Sequence, residues 1–250
     1  MRINLYFNLT KERSMDKNWI LDFSGCDGGT IGSPENQSIW VCGIEWGGGT
    51  DAQGLKNYIN QKWEGSPNFG YKEIEDLDFY PYNRIVYKLL GVMQGFSVDD
   101  YKDFAHKEQP FIENSHSNYF KMNLYPIAFR KTDHNHWEQE FSDITGFENK
   151  QQYLDWCHEN RFPVMRQWVQ KYAPKLIICF GKTYTHEFDS AFSDNDKEFT
   201  NETVRDLLLQ WKKNNNGTII AILPFPNAPN QGLKSHSDIE SMGKRLAKLK

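Results

Sequence analysis

The chain has 250 residues and a formal net charge of −4, with eight Trp, twelve Tyr and seventeen Phe. That length suffices for one α/β domain with a full core, and the charge leaves any nucleic-acid contact to a local basic patch. No apolar run approaches the ~20 residues that span a bilayer, and Met1–Leu5 opens no signal-peptide pattern, so a cytoplasmic protein without membrane contact is expected. The four cysteines (Cys26, Cys42, Cys157, Cys179) never reach CxxC spacing, which argues against a zinc ribbon or an iron–sulfur site.

Residues 18–23 read as a strand, and the glycine density of 24–34 as a loop. Ser38 to Gly43 is a short run rich in β-branched and aromatic residues, the pattern of a buried strand. It ends at Glu45, followed by Trp46 and the triplet Gly47-Gly48-Gly49, and helical spacing begins near Thr50-Asp51. Pro81 to Gly95 predicts a helix, and Asn118 to Tyr125 a second strand stopped by Pro126. Gln151 to Tyr172 has helical spacing that Pro163 must restart or kink. Lys175 to Gly181 reads as a third buried strand, Lys182 to Phe192 and Thr200 to Lys213 as helices, and Thr218 to Leu223 as a fourth strand. A proline-rich loop and a final helix, with Ser237 as a possible cap, complete the chain.

Near-continuous apolar strands separated by helix-length segments predict an α/β fold. The form expected is a three-layer sandwich whose central, mostly parallel four-stranded sheet is covered by helices on both faces. One domain is expected over 1–250, with 1–37 as an N-terminal extension and 38–250 as the core. Ligands bind beyond the carboxyl ends of strands in such sheets. Glu45, Asn123 and the loop after Leu223 all fall at those ends. Glycines 47–49 would let a ligand approach the backbone without meeting a Cβ.

Four short motifs, in order and at strand ends, resemble the uracil-DNA glycosylase superfamily over roughly residues 38–249. Gly43-Ile44-Glu45-Trp46-Gly47 stands where the family has Gly-x-Asp/Asn-Pro. Lys121-Met122-Asn123-Leu124 matches the strand whose asparagine reads the flipped base. Cys179-Phe180-Gly181-Lys182 matches the third strand, and Ala221-Ile222-Leu223-Pro224-Phe225-Pro226 the strand leading into His-Pro-Ser-Pro. The departures are Glu45 for Asp or Asn, Trp46 for proline, and Leu223 for the histidine that supports the departing base.

The resemblance implies a metal-free, cofactor-free, monofunctional DNA glycosylase, a monomer that acts on a deaminated or modified pyrimidine. A bulky hypermodified cytosine of the kind found in phage DNA would suit the glycine triplet. A catalytically inactive nucleic-acid-binding module of the same fold and a hydrolase of small nucleotide-like ligands are the rivals. Glu45 would activate water and stabilise positive charge on the sugar. Asn123 would read the base edge, in one of two amide orientations. Trp46, Gly47, Gly48, Tyr58, Leu223, Pro224, Phe225, Pro226 and Asn227 would surround the base, with Phe69 behind. Lys182, Lys234 and Ser235 would contact DNA phosphate, helped by Lys244 and Arg245. Asp133-His134-Asn135-His136 invites a metal reading, but two histidines at i, i+2 without a third placed ligand fit a polar surface loop better.

Overall fold

The computed structural model describes residues 17–60, 70–129, 137–226 and 232–250. Four strands are buried at every position: β2 (Ile39–Gly43), β3 (Tyr119–Asn123), β4 (Leu176–Phe180) and β7 (Ile219–Leu223). They pair in parallel in the order β3-β2-β4-β7. With both faces covered, such strands carry no polar alternation, which is why they stand out as apolar runs.

The sheet is wider than four strands. It has seven and is mixed, in the order β1-β3-β2-β4-β7-β6-β5. β1 (Cys26–Gly29) runs antiparallel to β3 at one edge, inside the segment whose glycines suggest a loop. Gly29 has φ +96°, and a Cβ there would lie 2.3 Å from the Tyr119 carbonyl oxygen, so glycine is what lets this edge close on β3. At the far edge, β5 (Thr200–Val204) and β6 (Leu207–Lys213) form an antiparallel hairpin where helical spacing predicts a helix. Its two-residue turn is Arg205-Asp206, with Arg205 at φ +53°; without Asn-Gly or Asp-Gly, the sequence does not advertise it.

Ten α-helices are described: α1 (Asn18–Leu21), α2 (Ala52–Ile59), α3 (Ile74–Asp78), α4 (Pro81–Met93), α5 (Tyr101–Glu108), α6 (Gln139–Thr145), α7 (Lys150–Trp156), α8 (Phe162–Tyr172), α9 (Thr185–Phe192) and α10 (His236–Ala247). Residues 18–21 are thus one helical turn rather than a strand. Among the described residues no helix is long and apolar enough to cross a membrane.

Alternation along each strand splits the core in two. Trp40, Cys42, Phe120, Met122, Ile177 and Cys179 pack with Leu55, Phe141, Leu154, Met165 and Phe188 on one face. Val41, Tyr119, Ile178, Phe180 and Leu223 pack with Val86, Leu90, Phe104, Ile239 and Met242 on the other. Helices α2 and α6 to α9 therefore cover the first face, and α4, α5 and α10 the second. Pro163 lies in the first turn of α8, and the chain reaches it from α7 through a π-helical turn, Cys157–Arg161.

Candidate functional site

The carboxyl ends of β2 and β3 stay hydrogen-bonded past their last residues. Leu124 N–H donates to Gly43 O (3.1 Å) and Tyr125 N–H to Ile44 O (2.9 Å). This pairing sets Glu45 beside Tyr125 in a cleft of about 110 Å³ shared with Lys150, His158, Tyr184 and Glu187. Burial pushes the Glu45 carboxyl up to about 7, while the Lys150 ammonium and the Phe129 backbone N–H pull it back toward the ordinary range. Lys150 is itself buried, with its nitrogen 3.8 Å above the Phe129 ring. His158 comes from the π-helical turn, and its Nε2 lies 3.2 Å from the Tyr125 hydroxyl. Burial lowers its pKa, with Glu187 opposing. A carboxyl poised near neutrality can take a proton from water at physiological pH.

Asn123 is buried elsewhere. Its Nδ2 donates to Gly25 O (3.2 Å), which fixes the amide, and a methyl group built on Gly43 would lie 2.5 Å from its Oδ1 and 3.6 Å from the Tyr82 hydroxyl. By strand alternation Asn123 shares the face of Tyr119 and Lys121, under α4, whereas the Glu45 cleft opens beside Ile44, Tyr125 and Leu154 on the opposite face. Asn123 is not among the described residues that line the cleft holding Glu45; its carboxamide is set against Gly25 and Gly43 where β2 and β3 end.

Around Asn123 lies a polar group that the sequence did not reveal. The buried Lys121 pairs with Asp27 at 2.7 Å and sits 5.5 Å from the ring centroids of both Tyr71 and Tyr82. Asp27 also accepts from Trp46 Nε1. Asp27 therefore ties the loop after Glu45 to β3. Tyr82 packs its ring on Phe180 (5.6 Å between centroids) and Phe225 (5.8 Å). Its hydroxyl is buried and meets no hydrogen-bonding partner among the described residues.

Arg161, fully buried, holds both sides together. Its guanidinium donates to the carbonyls of Leu124 (2.8 Å), Ser24 (2.6 Å), Asp22 (3.3 Å) and Asn123 (3.4 Å), and to Ile20 O. The charge is solvated by backbone oxygens, an arrangement that needs the arginine fork. These bonds consume carbonyls of residues 20–24 that a strand would have used.

The other expected residues are dispersed. The Tyr58 hydroxyl accepts from Gly25 N–H and its ring meets Trp46 edge-on at 5.1 Å, so it braces the loop. Gly47 and Gly48 are exposed, and a Cβ on either would meet nothing within 4 Å among the described residues. Leu223 is fully buried in the core under α4 and α10, and Pro224 and Pro226 are buried beside the 39% exposed Phe225. Asn227, Phe69 and the 133–136 stretch lie outside the described residues. Among the described residues no group of three or more His, Cys, Asp or Glu is placed to hold a metal ion.

Ser235, not Ser237, caps α10: its Oγ accepts from Asp238 N–H (3.1 Å), and the Asp238 carboxylate already occupies that first turn, where a phosphate would be opposed. Lys182 opens the 3₁₀ turn after β4, and Lys234 is exposed before α10. Lys244 and Arg245 are paired with Glu240 and Glu202, so neither offers an uncompensated charge. A scan against protein-family models finds no match, and neither does a search of curated proteins.

Proposed function

We propose that this chain is a monofunctional DNA glycosylase, of the uracil-DNA glycosylase type, that hydrolyses the N-glycosidic bond of a flipped-out deaminated or modified pyrimidine. In this reading the four parallel strands are the family's core and β1, β5 and β6 are additions to it. The protein works as a monomer without metal or cofactor.

The observation that carries the reading is Glu45: a carboxyl at the carboxyl end of a central parallel strand, half-buried, with its pKa raised to about 7. As the glycosidic bond breaks, positive charge grows on the sugar and negative charge on the leaving base. An ionised Glu45 orients a water, accepts its proton and stabilises the cationic sugar. Leu223 gives the leaving base no hydrogen bond, so binding energy from the rest of the base must supply part of what is missing.

The burial of Asn123 against Gly25, outside the residues that line the Glu45 cleft, favours a second reading, a nucleic-acid-binding module that no longer catalyses. One experiment separates the two. DNAs carrying uracil, hydroxymethylcytosine or glucosylated hydroxymethylcytosine are incubated with the protein, and abasic sites are scored by alkaline cleavage. The glycosylase reading expects base release from at least one, lost by roughly 10²–10⁴-fold in Glu45→Gln with DNA binding retained. Tight binding with no abasic site on any DNA selects the binding module.

A further inference from the structure

We infer that Tyr82 is a specificity-determining residue whose hydroxyl is held in reserve for a polar group on the base that Asn123 reads. The inference rests on the glycosylase reading for the identity of the ligand, but not for its geometry.

Three observations carry it. The Tyr82 hydroxyl is buried and has no hydrogen-bonding partner among the described residues. Leaving a buried hydroxyl unsatisfied is destabilising, and such groups are seldom kept without use. The rest of the side chain is well placed: its ring packs on Phe180 and Phe225 from the first turn of α4, so the hydroxyl is aimed rather than stranded by loose packing. It also lies near a second polar group: a Cβ built on Gly43 would be 2.5 Å from Asn123 Oδ1 and 3.6 Å from Tyr82 Oη, so the two oxygens lie close together at the carboxyl end of β2.

The chemistry of the two prongs is complementary. Asn123 donates one Nδ2 N–H to Gly25 O, which orients the amide with Oδ1 as the acceptor beside Gly43. Burial keeps the Tyr82 phenol protonated, so it can donate as well as accept. Together they match a planar edge with a donor beside an acceptor, as pyrimidines present. Neighbouring charges do not compete for the hydroxyl: the Lys121 ammonium faces the Tyr82 ring and is bonded to Asp27.

Tyr82→Phe removes the oxygen and preserves the ring contacts, so two readouts should move in opposite directions. Ligand-free stability should rise or hold, because an unsatisfied polar atom has been deleted. Affinity for a DNA strand carrying one hydroxymethylcytosine or uracil should fall about tenfold, the loss of one hydrogen bond, while affinity for the same strand with an abasic analogue at that position stays unchanged. Asn123→Ala should lower the same base-dependent ratio, and the double variant should lose less than the sum of the two.

A base-dependent ratio unchanged in Tyr82→Phe overturns the inference. So does a fall in ligand-free stability without change in binding, which would show the hydroxyl already satisfied inside the protein. A wild type that binds base-bearing and abasic strands equally overturns it too. Base-dependent binding that Tyr82→Phe weakens, in a protein that releases no base, refutes the glycosylase reading and leaves the inference standing.

Discussion

Gly43 and Asn123 are directly paired across the parallel strands β2 and β3, and the Asn123 carboxamide occupies the space a side chain at position 43 would need, with its Oδ1 2.5 Å from where Cβ would lie. The glycine is required by this approach and not by its backbone, because Gly43 is not among the residues with positive φ. Gly43→Ala is expected to cost about 1–3 kcal/mol through overpacking. It should also displace the carboxamide from Gly25. Chemical denaturation gives the first quantity, and the side-chain amide resonances of Asn123 report the second.

Glu45 makes stability depend on pH with a defined sign. Its carboxyl titrates near 7 in the folded protein against an ordinary 4.5. Between those values the unfolded chain has already released the proton that the folded chain still holds, so stability falls as pH rises through the window and levels off above it. Glu45→Gln abolishes this component. The melting temperature of the variant relative to wild type should therefore climb from pH 4.5 to 7, and a difference flat over that range would remove the buried, protonated Glu45. If Glu45 is the general base, the rate of base release should rise with pH over the same range before levelling off.

Arg161 reaches five backbone carbonyls from a fully buried position. Arg161→Met leaves those oxygens buried and unpaired, and at about 1–3 kcal/mol for each one not rescued by water the variant should unfold or become a molten state. Arg161→Lys retains the charge but not the fork. It should fold with a loss of several kcal/mol and faster hydrogen exchange at Asn123 and Leu124, whose carbonyls it no longer clamps together. Unchanged exchange there would show that the strand end is rigid without it.

The central strands were legible because burial on both faces leaves an apolar run with no alternation, as in Leu176–Phe180 and Ile219–Leu223. Helix starts were legible where their chemistry is local: α2 begins at Ala52, with Asp51 accepting from Gly54 N–H at 2.7 Å, and Pro81 opens α4, whereas the cap of α10 is Ser235 and not the expected Ser237. The hairpin at 200–213 was misread because Arg205-Asp206 is not a turn the sequence announces, and Leu207-Leu208-Leu209 fits either period. The place of Glu45 just beyond β2 was legible because a carboxylate before a glycine run at a strand end is a local pattern. Arg161, Asp27, Lys121 and Tyr82 were not, because their roles depend on partners far along the chain. Arg161 reaches Ile20 across 141 positions, and nothing in Cys157–Arg161 announces a π-helical turn.

The glycine loop gives a test of substrate size. Gly48 and Gly49 cannot carry a large side chain without strain, because Gly48 has φ +93° and Gly49 has φ +73°. Gly47 lacks a positive φ, is exposed, and would meet nothing within 4 Å. Gly47→Phe should therefore fold with stability within about 1 kcal/mol of wild type, as exposed substitutions without backbone strain do. Trp46, the residue before it, is anchored through Asp27 and packs edge-on to Tyr58, so the loop is held in place and the new ring must project into the open space. If that space receives a substituent on the base, Gly47→Phe abolishes action on a bulky modified cytosine while sparing a small base such as uracil. Gly47→Ala, with little added volume, should spare both. Single-turnover rates on matched oligonucleotides make the comparison, with Gly48→Phe as the strained control that loses stability as well. Equal losses on small and bulky bases in Gly47→Phe would show that the glycines serve the turn alone.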